Sequence, residues 1–181
     1  VQSPARIDRC MLAGEQVALA GGVTTRSYCF STRPLHVDAG SHGAQLFSRD
    51  SIVVADEATL TRGAVVVCYR RLQDDTTLSG GVRFAPGVTV AAHTIVYTDS
   101  ADSRVAPRPG PAIVVGQGCT VQGSLITDGD IEMRGIGCEG AVWCRTILST
   151  ENGIPHKNWL FNCTLRPART QAPFPLVGTV P

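Results

Sequence analysis

Three carboxylates alternate with other residues at Asp128, Asp130 and Glu132. On an extended strand they share one face, while Ile131 and Met133 take the other. Grouped oxygens of this kind suit Ca²⁺, or could work as acid and base on a glycosidic bond. The same alternation is what any water-facing strand shows. Ca²⁺ is the cofactor these residues raise, and none other is expected.

Other chemistries find less support. The histidines are His36, His42, His93 and His156, and no two lie at a zinc-site spacing. Cys138, Cys144 and His156 lack a fourth ligand at a usual interval. His93 falls where two related segments carry Gly63 and Gly123. A hexapeptide-repeat acyltransferase would use a histidine near such a corner as a base, and a plain corner histidine is the simpler reading. No Gly-x-Ser-x-Gly elbow is present. The Gly-Gly pairs at 21–22 and 80–81 and the Gly-x-Gly at 116–118 precede no helical pattern, so no phosphate loop is expected. Trp143 and Trp159 could stack on a sugar, or plug the core or an end.

Asp99, Asp102, Arg104 and Arg108 lie in a segment with prolines at 107, 109 and 111. That density of proline forbids a central strand and makes a stiff exposed loop. Loops on rigid scaffolds are common binding sites, so these four residues are the binding-loop candidates.

The elements that would position such residues are short. Glycines at Gly118, Gly123, Gly129, Gly135 and Gly140 are spaced 5, 6, 6 and 5 apart. Val121, Ile126, Ile131, Ile136 and Val142 keep nearly the same beat. This is too glycine-rich for a helix and too regular for a loop. It suits brief strands joined by tight corners, and the expected fold is an all-β β-solenoid (β-helix) with inserted loops. Charged residues make up only 17% of the chain, and Gly plus Pro 30 of its 181 residues, which agrees with a turn-rich β protein.

Thr59, Thr89 and Thr120 head three related segments, 30 and 31 residues apart. Those intervals exceed one bare turn, so insertions are expected at 73–81 and 99–111. The solenoid is expected over 48–150. Residues 1–47 read as an N-terminal cap, with a short helix over Met11–Ala20, a hairpin, or both. Residues 151–181 read as a last strand and a proline-rich strap. Capping is needed because an open end exposes unpaired edges.

Seven cysteines invite pairing. Cys10 and Cys29, Cys119 and Cys138, and Cys144 and Cys163 are each 19 apart, leaving Cys68 as a free thiol. With a turn of about 18 residues, such pairs lie on adjacent strands about 4.8 Å apart, within reach of a disulfide. Three disulfides would imply an oxidising setting: periplasm, cell surface or exterior.

The net charge is +1, and Lys157 is the sole lysine. No basic stripe is present, so nucleic acid is not an expected partner. No run of 18 apolar residues is present, so no membrane span is expected. The chain begins at Val1, which predicts a processed N-terminus.

The run Val121-Gln-Gly-Ser-Leu-Ile-Thr-Asp-Gly-Asp-Ile-Glu-Met-Arg-Gly-Ile-Gly-Cys-Glu-Gly-Ala-Val resembles bactofilin-like polymer-forming domains. It is similar too to the solenoid parts of pilus-associated surface proteins. The resemblance, carried mainly by residues 116–147, implies a solenoid and no catalytic residue. The cysteines and insertions point to an envelope or surface relative.

Together these features predict a non-enzymatic extracytoplasmic domain for adhesion or assembly, pilus-associated or otherwise at the surface. Its partner would be a protein, a surface glycan or further copies of itself. The alternatives are a polysaccharide-active β-helix enzyme and a carbohydrate-binding module.

Overall fold

The computed structural model describes residues 6–74, 77–99, 110–151, 154–158, 160 and 162–167. Every regular element among them is a strand. The chain alternates between two sheets built almost wholly from parallel pairs. The first sheet stacks β1 (Arg6–Gly14), β3 (Thr24–Ser31), β5 (Gly40–His42) with β6 (Gln45–Ser48) at one level, β8 (Ala58–Asp74), β11 (Thr89–Asp99), β13 (Thr120–Thr127), β15 (Gly137–Trp143) and β18 (Thr164–Arg166). A short β9 (Thr77–Ser79) pairs antiparallel with β8. The second sheet stacks β2 (Val17–Leu19), β4 (Leu35–Val37), β7 (Ser51–Val54), β10 (Gly81–Phe84), β12 (Ile113–Val115), β14 (Asp130–Met133) and β16 (Thr146–Glu151). An antiparallel β17 (Ile154–Lys157) closes that series.

Alternation within each strand explains the core. In β3, Thr25, Ser27, Cys29 and Ser31 are buried while Arg26, Tyr28 and Phe30 face out. Inward residues of both sheets form one buried cluster, with Leu46, Leu60 and Leu125 from the first sheet and Leu35, Ile52 and Ile131 from the second. Each such side chain removed from water contributes about 1.5–3 kcal/mol.

The glycine beat resolves into stacked corners. Gly118 and Gly135 both take positive φ, and the Gly118 amide donates to the Gly135 carbonyl at 3.1 Å. Gly123 lies in register with Gly140. The pairs are 17 residues apart, which is the stride from β13 to β15. Elsewhere the stride is 18 from β2 to β4, 17 from β3 to β6 and 18 from β12 to β14.

Two strides are longer. Ser51 pairs with Gly81 and Val82 with Ile113, offsets of 30 and 31. In both cases the extra residues interrupt the passage from the first sheet to the second, on consecutive levels. Residues 73–81 are shared by the end of β8, by β9 and by the start of β10. The other added segment includes 100–109, outside the described residues. Thr59, Thr89 and Thr120 do stand in register.

Some expectations need correction. Met11–Ala20 forms no helix, and residues 6–47 form no hairpin. β1 pairs parallel with β3, and β2 pairs parallel with β4, so this region carries the same strand alternation as the rest. Its inward residues, Val17, Leu19 and Leu35 among them, belong to the common core, which extended strands bury more fully than a lone helical turn would. The last strand is Thr164–Arg166 rather than the whole of 159–165. The proline-rich residues 168–181 lie outside the described residues.

The disulfide expectation also fails, because the stride is 17 rather than 19. Cys138 stands opposite Val121, two residues beyond Cys119. Cys29 stands opposite Leu12, two residues beyond Cys10. A two-residue offset between neighbouring strands separates Cα atoms by about 8 Å, beyond disulfide reach. Cys10, Cys29, Cys119, Cys138, Cys144 and Cys163 are all free thiols, as is Cys68.

Candidate functional site

The acidic trio does not converge. Asp128 precedes β14 and accepts hydrogen bonds from the backbone N–H and Oγ1 of Thr98, each at 3.1 Å. Asp130 accepts from Arg145 Nε at 3.0 Å. Glu132 accepts from Arg134 Nε at 2.8 Å and from Thr150 Oγ1 at 3.1 Å. Each carboxylate is therefore engaged with its own neighbour. Among the described residues, no three of His, Cys, Asp or Glu come together as a metal-binding group.

The histidines are scattered. His36 faces out on β4, and His156 stands opposite Ser149. His93 is in register with Val65, so it does not occupy the position of Gly63 or Gly123. A bulge between Val90 and Ala92 shifts that register by two residues. His42 is fully buried, with Nε2–H donating to the Asp38 carbonyl at 3.2 Å. Burial lowers its pKa against the opposing pull of Asp38.

The buried thiols are poor nucleophiles. Burial pushes Cys29 up to about 11, with Cys10 adding to the rise. It pushes Cys68 to about 11 as well, and the Cys68 thiol donates to the Asp50 carbonyl at 3.0 Å. Near Cys68 lies a buried cation. Arg70 donates from Nη2 to the Gly110 carbonyl at 3.0 Å, while Nε and Nη1 have no hydrogen-bond partner.

Of the binding-loop candidates, Asp99 ends β11, and Asp102, Arg104 and Arg108 lie outside the described residues. Trp159 also lies outside them. Trp143 is 74% exposed and borders an open concavity of about 410 Å³ lined in part by Arg145, Thr146 and Asn158.

The feature that spacing alone did not reveal is the outer face of the first sheet. Register places Phe30, Phe47, Val67, Ile95, Ile126 and Trp143 in one unbroken row across six levels. The row is about 24 Å long at the usual strand separation. Beside it runs a second row containing Met11, Tyr28, Val65 and Ala141. Tyr69 and Tyr97 pair on the other flank, 48% and 49% exposed. The second sheet differs. Its outward row His36, Val53, Arg83, Val114, Glu132 and Leu148 alternates polar and apolar levels. Alternation keeps a surface wet; an unbroken apolar row does not. Contiguous exposed apolar patches of several hundred Å² mark interaction sites.

The sequence signal for this face was present but irregular. The row's members fall 17, 20, 28, 31 and 17 residues apart, intervals that make sense only once the strides are known. No family model matches the chain, and neither the curated proteins nor the solved structures include a similar one.

Proposed function

We propose that this chain is a β-solenoid interaction domain that docks a protein partner through the outer face of its first sheet. The unbroken row from Phe30 to Trp143 carries the reading. Strand-by-strand alternation between two parallel sheets, at a stride of 17 or 18 residues, supports the solenoid. Stacked strands give a rigid, flat face whose ordering entropy is already spent before binding. The domain is non-enzymatic in this reading, a module for adhesion or assembly. The resemblance to polymer-forming and pilus-associated solenoids is the support for placing it outside the cytoplasm, at the cell surface.

The test is site-specific photo-cross-linking. A benzophenone side chain at Ile95, on the first sheet's outer face, should give a discrete protein adduct. One at Arg83, on the second sheet's outer face, should give none. Absence of any adduct from Ile95 in the protein's native setting would reject the reading.

A second reading rests on Trp143. An exposed indole beside a concavity with Arg145 and Asn158 is a stacking platform for a sugar ring. Soluble oligosaccharides should then change tryptophan fluorescence in the native chain but not in Trp143→Ala.

A further inference from the structure

We propose that the partner on this face is a second copy of the chain, docked face to face with its levels running in the opposite direction. This rests on the reading of the face as an interaction surface. The two-fold axis lies in the plane of the interface, along the strands, between β8 and β11.

Size is the first argument. From β1 to β18 the sheet has eight levels, so the face is about 34 Å long. Between its two flanking charged columns it is about 24 Å wide, giving roughly 800 Å². That is the area each partner contributes to a standard stable interface.

Charge is the second. One flank of the face carries Asp8 on β1, Arg26 on β3, Glu139 on β15 and Arg166 on β18. The other flank carries Arg49, just after β6, and Asp128, just after β13. Reversing the levels lays the first on the eighth, the second on the seventh and the third on the sixth. Asp8 then meets Arg166, Arg26 meets Glu139, and Arg49 meets Asp128, each pair formed twice by symmetry. Aligning equal levels instead sets Arg26, Arg49 and Asp128 opposite Thr32, Gly43 and Gln122. Rim pairs add little affinity, but they select orientation.

The interior agrees with the rim. In the reversed arrangement Phe30 lies over Trp143, Phe47 over Ile126, and Val67 over Ile95. Gln45, the polar member of the second row, lies over Ser124. Polar meets polar and apolar meets apolar along both rows. Packed sheet faces sit about 10 Å apart, close enough for these side chains to interdigitate.

Sedimentation equilibrium on the purified chain, with Val67 and Ile95 as probes, tests the arrangement. Both face outward, so changing them leaves the inward core in place. Wild type should run at twice the 19.1 kDa chain mass at micromolar concentration. Val67→Lys and Ile95→Glu should each be monomeric, with association weakened at least 100-fold and melting temperatures near wild type. The double variant Val67→Lys/Ile95→Glu places Lys against Glu across the axis twice, and should recover the dimer. A wild type that stays monomeric at 100 µM overturns the proposal, as do single variants that remain dimeric. Two folded monomeric single variants whose combination fails to dimerise overturn the reversed orientation. An Ile95 photo-adduct to a different protein would also defeat the self-pairing while leaving the face a docking surface. No Ile95 adduct at all removes both.

Discussion

Gly140 stacks directly on Gly123, so closely that a Cβ on Gly140 would fall 1.6 Å from the Gly123 carbonyl oxygen. Gly123 in turn leaves 2.1 Å between its own notional Cβ and the Ala92 carbonyl oxygen. Three consecutive levels therefore approach backbone to backbone at this column. Neither neighbour can yield, because each carbonyl belongs to a main chain held in a parallel ladder.

This column makes a sharp mutational prediction. Gly123→Ala or Gly140→Ala should destabilise by about 3 kcal/mol or more, since overpacking against backbone has no side chain to relax. Gly137→Ala, in the same strand as Gly140, meets nothing within 4 Å and should change stability little. Urea midpoints for the three variants check it. Equal effects at 137 and 140 would show that the column is not under steric control.

The glycine beat was thus legible as architecture: glycine recurs because strands and corners stack at a fixed stride. The all-β class follows from that beat and from the low charge. Other features depended on knowing the stride to within a residue. An expected turn of 18 made cysteines 19 apart look like neighbours, whereas a stride of 17 places Cys138 opposite Val121. The acidic alternation at Asp130 and Glu132 was read correctly as one face, but Arg145 and Arg134 arrive from outside the local window to engage it. The apolar face was hidden for the same reason. Phe47, Val67 and Ile95 become neighbours through irregular strides and a bulge, and no single window of sequence holds them together.

The thiols should show their burial in kinetics. At neutral pH an alkylating reagent should label the partly exposed Cys10, Cys144 and Cys163 first. Cys29 and Cys68, held at about 11 by burial, should stay unmodified until the chain unfolds. All seven should be titratable in denaturant without reductant. Timed alkylation read by peptide mass spectrometry separates the classes. Fewer than seven thiols in non-reducing denaturant would contradict the free state.

His42 should make stability fall on mild acidification. Its folded pKa lies below the ordinary 6.5 because burial disfavours the imidazolium, and Nδ1 has no partner to compensate. Between the two values the unfolded chain holds more protons, so stability is full above about 6.5 and declines as pH drops toward the folded value. Urea midpoints from pH 7.5 down to 5 should show this slope in wild type and a flatter one in His42→Gln. Identical slopes would mean that His42 is not held neutral in the folded protein.

Arg70 should prove a net cost to the fold. The side chain is 1% exposed, with one hydrogen bond to Gly110 and two N–H groups unmatched. Burial lowers its pKa, and the pull of Cys68, Asp128 and Asp130 opposes that without an ion pair within 4.0 Å among the described residues. An uncompensated buried guanidinium loses more hydration than it recovers. Arg70→Met keeps most of the volume and removes the charge, so it should raise stability by about 1–3 kcal/mol. Arg70→Ala should do worse than Met, because it adds a cavity to the loss of the Gly110 hydrogen bond. Guanidinium-chloride midpoints rank the three. A Met variant less stable than wild type would show that Nε and Nη1 are satisfied in solution, and would turn attention to an anion held at that corner.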